Sequence, residues 1–124
     1  MARSKKILVV EDESELCSIL YADLTSRGYE VELARNGQEG LEKLQIIEPD
    51  IVICDRAMPI MSGYQMLERI RGSYPQYKHL PIIFLTALTD PRDRHSVDHL
   101  EPSAYLEKPV NLDKLAATIT KIFA

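Results

Sequence analysis

Hydrophobic positions along the chain follow two alternating rhythms. Lys6 to Glu11 (KILVVE), Ile51 to Asp55 (IVICD) and Ile82 to Thr86 (IIFLT) are short, nearly continuous apolar runs rich in β-branched residues, the pattern of strands buried on both faces. Tyr29 to Ala34 alternates Tyr29, Val31 and Leu33 with Glu30 and Glu32, and Ala104 to Glu107 is short and mixed. Both fit strands near a sheet edge. Between these runs the period lengthens to that of a helix. Leu16, Ile19, Leu20 and Leu24 recur at helical spacing before Gly28, and Asn36 with Glu39 forms a cap pair ahead of Leu41 and Leu44. Ser62, three residues before Gln65, is a capping-box pattern leading into Met66, Leu67 and Ile70. Asp90 followed by Pro91 reads as the N-cap and first residue of a fourth helix, and Asn111 caps a last helix carrying Leu112, Leu115, Ala116, Ile119 and Ile122.

Five strands alternating with five helices predict an α/β fold: a parallel sheet with right-handed crossovers and helices on both faces, three layers in all. No repeat, low-complexity segment or linker interrupts the pattern, so residues 1–124 are expected to form one domain. With 45% apolar and 27% charged residues the chain can supply one sizeable core, which excludes disorder and collagen. A net charge of −4 gives no basic field for nucleic acid or anionic lipid, so direct binding to either is not expected. The apolar runs fall far short of the roughly 20 residues a membrane span needs. Met1 to Lys6 runs into the first strand without a secretory apolar region, which points to the cytoplasm. Cys17 and Cys54 lack a CxxC spacing and read as two small buried hydrophobes.

In such sheets, ligands gather outside the carboxyl ends of the strands. The first strand ends in Glu11 and Asp12, the third in Asp55 and the fourth in Thr86, while the fifth leads within a residue to Lys108-Pro109. Two like charges 4 Å apart repel by about 4 kcal/mol at an effective dielectric near 20, so crowding three carboxylates calls for a cation. Oxygen ligands without His or Cys favour Mg²⁺ or a similar hard ion, which keeps positions open for phosphoryl oxygens. An Asp beside such an ion can act as a nucleophile toward phosphorus, with Lys108 and Thr86 positioned to meet the transferred charge. Each residue also has a plainer reading: Glu11-Asp12 as a helix-favouring acidic turn, Asp55 as a turn residue, Thr86 as a β-branched strand residue, Lys108 as a solvated cation, and Tyr105 as a packed edge-strand ring. Their joint placement on one rim favours the chemical reading.

Four stretches carry a family resemblance: Val9-Val10-Glu11-Asp12; Cys54-Asp55-Arg56-Ala57-Met58-Pro59 with Gly63; Phe84-Leu85-Thr86-Ala87; and Tyr105-Leu106-Glu107-Lys108-Pro109. Over essentially its whole length the chain resembles the receiver domain of two-component response regulators, the CheY-like family. The resemblance implies a flavodoxin-like, CheY-like sheet in the order 2-1-3-4-5 with five helices. It implies that Asp55 accepts phosphate from a sensor histidine kinase or a histidine phosphotransfer protein. Asp12, Asp55 and the Ala57 backbone carbonyl would bind Mg²⁺, with Glu11 acting through water. Lys108 would hold the phosphoryl group, a cis Lys108-Pro109 peptide would follow it, and Thr86 with Tyr105 would form a switch pair altering a face that binds a downstream protein. Such a domain catalyses only its own phosphorylation and dephosphorylation and is not otherwise an enzyme. The final helix ends without a linker, which fits a stand-alone regulator and equally a domain cut from a longer regulator or hybrid kinase.

A haloacid-dehalogenase-type aspartyl phosphatase is the alternative from another class, but it normally carries a second Asp two residues after the nucleophile, where this chain has Ala57. A flavodoxin-like electron carrier would need a phosphate loop after the first strand, where Glu11-Asp12 would repel phosphate. A degenerate receiver used only for docking would not need the full set of acidic, hydroxyl and lysine positions.

Overall fold

Side-chain alternation along the central strands decides where the helices sit. The computed structural model describes residues 4–56, 58, 60–86 and 103–124. Within it β1 (Lys6–Val10), β2 (Glu30–Ala34), β3 (Ile51–Asp55), β4 (Ile82–Thr86) and β5 (Ala104–Glu107) form one parallel sheet in the order β2-β1-β3-β4-β5. Leu8, Val10, Val52, Cys54, Ile82 and Phe84 project to one face, where α2 (Gly37–Ile47) and α3 (Gly63–Ser73) contribute Leu41, Leu44, Met66, Leu67 and Ile70. Ile7, Val9, Ile51, Ile53, Ile83 and Leu85 project to the other, where α1 (Ser14–Ser26) and α4 (Leu112–Phe123) contribute Leu20, Leu24, Leu115 and Ile119. These are the three layers expected from strands that are apolar on both faces.

The edge strands behave as their mixed sequences require. β2 exposes Glu30 and Glu32 and half-buries Val31 and Leu33, and β5 fully buries Leu106 alone. Two strands are one residue shorter than the apolar pattern suggests. Tyr29 N–H turns back to the Leu24 carbonyl and closes the end of α1 instead of joining the sheet. Glu11 lies beyond the last residue of β1, although its N–H still donates to the Ala34 carbonyl at 2.9 Å.

Capping follows the sequence closely. Asn36 and Asn111 side chains accept from the N–H groups of Glu39 and Lys114, and Ser62 with Gln65 makes both bonds of a capping box. Such caps contribute about 1 kcal/mol each. Gly28 takes φ +98°, a left-handed turn that a residue with a side chain resists, and its N–H bonds to the Thr25 carbonyl. In α1 the buried stripe is Cys17, Leu20 and Leu24, whereas Ile19 is 44% exposed, a correction to the purely periodic reading. The helix expected at Asp90-Pro91 lies outside the described residues, among which there are four α-helices. None of the described helices is long and apolar enough to cross a membrane. Both cysteines are free and buried. Burial, then the charges of Asp55 and Glu11, pushes the Cys54 thiol well above its ordinary range, and burial followed by Glu11 raises that of Cys17.

Two glycines of α3 have opposite roles. A Cβ on Gly63 would lie 2.2 Å from the Asp55 carbonyl oxygen and 2.7 Å from the Cys54 sulfur, so the helix can start against the end of β3 only without a side chain there. Gly72 has nothing within 4 Å of such a Cβ. Gly72→Ala is therefore expected to raise unfolding stability by about 0.4–1 kcal/mol by reducing the freedom of the unfolded chain. Gly63→Ala should lower it by about 1–3 kcal/mol or more, since backbone has to move. Urea unfolding midpoints of the two variants against the parent test both signs.

Candidate functional site

The carboxyl ends of β1 and β3 lie side by side, since Val10 pairs with Cys54, and the residues that follow each strand meet on one rim. Glu11 is fully buried there, Asp55 is 7% exposed and Asp12 is exposed. One carboxylate oxygen from each falls within 4.8 Å of the others. Glu11 is fixed from three directions: its N–H is in the ladder to Ala34, its Oε2 accepts the Glu13 N–H at 3.0 Å, and its carbonyl accepts the Cys17 thiol at 3.1 Å.

Lys108 closes the cluster from the far side of the sheet. Its N–H donates to the Thr86 carbonyl at 2.8 Å, extending the β4–β5 ladder, and the Lys108-Pro109 peptide is cis, as the resemblance implies. Its ammonium donates to Asp55 Oδ2 at 3.0 Å and lies 3.0 Å from Glu11 Oε1. The second contact is an ion pair on a fully buried carboxylate. Burial by itself would lower the Lys108 pKa, yet its bonds to Glu11 and Asp55 outweigh this and hold it above the ordinary lysine value. Glu11 is pushed up, chiefly by burial and further by the Asp55 charge, against the Glu13 N–H and Lys108. The rim thus holds a charged lysine and a carboxyl group short of positive charge.

Of the residues singled out in the sequence, Glu11, Asp12, Asp55 and Lys108 are brought together directly. Thr86, 5% exposed, ends β4 on the same rim. Tyr105 stands one strand further out, opposite Phe84, their rings stacked at 6.0 Å with planes 26° apart. Ala57 lies outside the described residues. The Cys17 thiol on the Glu11 carbonyl was not legible, because a cysteine at helical spacing reads simply as an apolar residue. The role of Gly63 was legible only as part of a motif.

The donor set fits a hard divalent ion. Three carboxylates within 4.8 Å of one another, two of them buried, are met by the Lys108 ammonium, and a hard cation placed among them would reduce the remaining repulsion. Haloacid-dehalogenase chemistry, by contrast, has no second acid at position 57.

Fold and site together define a doubly wound, CheY-like α/β domain with an aspartate-rich site at its switch point. Residues 7–120 match the family described as response regulator receiver domain, and the chain belongs to that family, the receiver domains of two-component signalling. The chemotaxis protein CheY4 of Vibrio cholerae superposes with a TM-score of 0.91 at 32% identity, covering 97% of this chain and 99% of that one. The probable transcriptional regulator ycf27 of Cyanophora paradoxa is 38% identical over 118 residues, 95% of this chain and 48% of the relative. The hybrid signal transduction histidine kinase D of Dictyostelium discoideum is 38% identical over 116 residues, 94% of this chain and 7% of that protein. The chain therefore spans about half or less of the length of these two relatives. The phosphatase alternative finds no support among these matches.

A divalent ion at 100 times its Kd should raise the unfolding free energy by about 2.7 kcal/mol. Calorimetry with and without MgCl₂, at ionic strength matched with KCl, measures this as a rise in Tm. The rise should vanish in Asp12→Asn.

Proposed function

We propose that Asp55 is the phosphoacceptor of this receiver domain, taking a phosphoryl group from the phosphohistidine of a sensor histidine kinase or histidine phosphotransfer protein. The observation that carries this reading is the contact of Lys108 with both Asp55 and Glu11 at 3.0 Å, inside a cluster of three carboxylates. The Asp55 carboxylate attacks phosphorus as the bond from phosphorus to the donor imidazole breaks, leaving an acyl phosphate on the protein and the imidazole free. Lys108, already at the Asp55 oxygen, meets a phosphoryl oxygen, and the Thr86 hydroxyl donates to another. Asp12 and Asp55, with the Ala57 carbonyl and Glu11 through water, would hold Mg²⁺, which when bound supplies neutralising charge to the phosphoryl oxygens. No other substrate is turned over: residues 1–124 act as one signalling domain that catalyses only its own phosphorylation and dephosphorylation.

Thr86 and Tyr105 form the switch. Thr86 is drawn toward the phosphoryl group and Tyr105 moves inward, changing a face that a downstream protein reads. The target must prefer one of the two arrangements for phosphorylation to shift its binding. Net charge −4 supports a protein target over direct contact with nucleic acid, and we place the domain in the cytoplasm.

A groove of about 700 Å³ opens beside Lys108 between α1 and the segment entering α4, lined by Leu16, Ile19, Val110 and Leu112 together with Glu13 and Glu15. Its exposed Ile19 gives an incoming protein donor an apolar hold next to the site, which a small phosphodonor does not need.

Incubation with acetyl phosphate and Mg²⁺ should label the protein to one phosphoryl group per chain, and Asp55→Asn should abolish the label. Undiminished labelling of that variant overturns the assignment, and release of phosphate over many turnovers would instead mark a phosphatase. Ile19→Asp should slow transfer from a histidine kinase at least tenfold while leaving acetyl phosphate labelling unchanged.

A further inference from the structure

β2 is the outer strand on one side of the sheet. Its ladder to β1 is bracketed by the Glu30 N–H donating to the Lys5 carbonyl at 3.0 Å and the Glu11 N–H donating to the Ala34 carbonyl at 2.9 Å. Successive residues of a strand direct their backbone groups to opposite sides. Glu30, Glu32 and Ala34 therefore bond to β1, and Val31 and Leu33 point theirs outward, away from the sheet. Such groups are a template for another strand.

One of them is taken. Lys43 of α2 reaches over the sheet edge and donates its ammonium to the Leu33 carbonyl in a short hydrogen bond. The same ammonium lies 3.9 Å from Glu32 and 3.6 Å from Glu39, and the side chain is 33% exposed. A helix-surface lysine ordinarily keeps its head group in water, so a lysine laid on an edge-strand carbonyl is unusual. Beside it a groove of about 290 Å³ is lined in part by Val31, Ile46 and Ile47, and Ile46 is 79% exposed. Apolar surface thus adjoins the open edge and would reward pairing there.

We propose that Lys43 guards the β2 edge, occupying the Leu33 carbonyl so that a second copy of this chain cannot add its own β2. The edge is self-complementary. A twofold axis through Glu32 sets each Val31 opposite the Leu33 of the other copy, and these are the residues whose backbone groups point outward. The same axis brings the two Glu32 side chains together, a repulsion that acts as a second barrier. Lys43 blocks the hydrogen bonding and Glu32 opposes the approach.

Sedimentation velocity separates the two barriers when both variants carry Glu32→Gln. Lys43→Met keeps the aliphatic stem and removes the donor, and in this background it should raise the self-association constant at least tenfold over Glu32→Gln alone. Lys43→Arg, which keeps a donor, should leave the constant at the Glu32→Gln value. Adding Val31→Pro to the Lys43→Met protein removes one outward N–H without touching the ladder to β1, and should abolish the gain. Equal constants for Lys43→Met/Glu32→Gln and Glu32→Gln, or a gain that survives Val31→Pro, overturns the proposal. Urea midpoints of all variants identify any that fail to fold, and Lys43→Leu, which also has no donor, then replaces Lys43→Met.

Discussion

Three carboxylates held within 4.8 Å of one another, two of them almost out of water, require positive charge to meet them, and the fold is arranged to deliver it. Lys108 is carried to Asp55 and Glu11 by β5, two strands away from β3, and is fixed there by a backbone bond to the end of β4. Its single ammonium spans two acids and leaves the three carboxylates with more negative than positive charge between them. A site left short of positive charge in this way favours a divalent ion. The same deficit underlies both the structure of the rim and its chemistry.

Holding the deficit in place depends on close approach elsewhere. α3 begins against the Asp55 carbonyl because Gly63 has no side chain, and the Gly63 N–H donates to the Arg56 carbonyl at 3.0 Å. On the opposite side of Glu11, the Cys17 thiol and the Glu13 N–H orient its carbonyl and carboxylate. The acids are therefore set by rigid strand ends and helix starts, which costs stability locally and is offset by the two apolar layers below.

The parallel sheet explains why one rim collects all these groups. Every strand runs the same way, so each β-to-α turn falls at the same end, and the order β2-β1-β3-β4-β5 places the first and third turns side by side. The opposite constraint acts at the sheet's outer edge, where among the described residues β2 has backbone groups with no strand to meet them and Lys43 covers one.

Sequence alone determined the strands and most of the caps, and it singled out Glu11, Asp12, Asp55 and Lys108, which the structure brings together. Continuous β-branched runs fit strands covered on both faces, Ser62 with Gln65 is a local bond pattern, and acids, hydroxyl and lysine fall at strand ends by count along the chain. These are short-range properties. Which face of α1 is buried was decided by packing against Ile7, Val9 and Ile53, and this left Ile19 outside although its period matched. The distance between Lys108 and Asp55, 53 residues apart, the burial of Glu11, the thiol on its carbonyl and the reach of Lys43 to the edge are long-range contacts. Only the assembled sheet brings such distant residues to hydrogen-bonding range, so no window of sequence could show them.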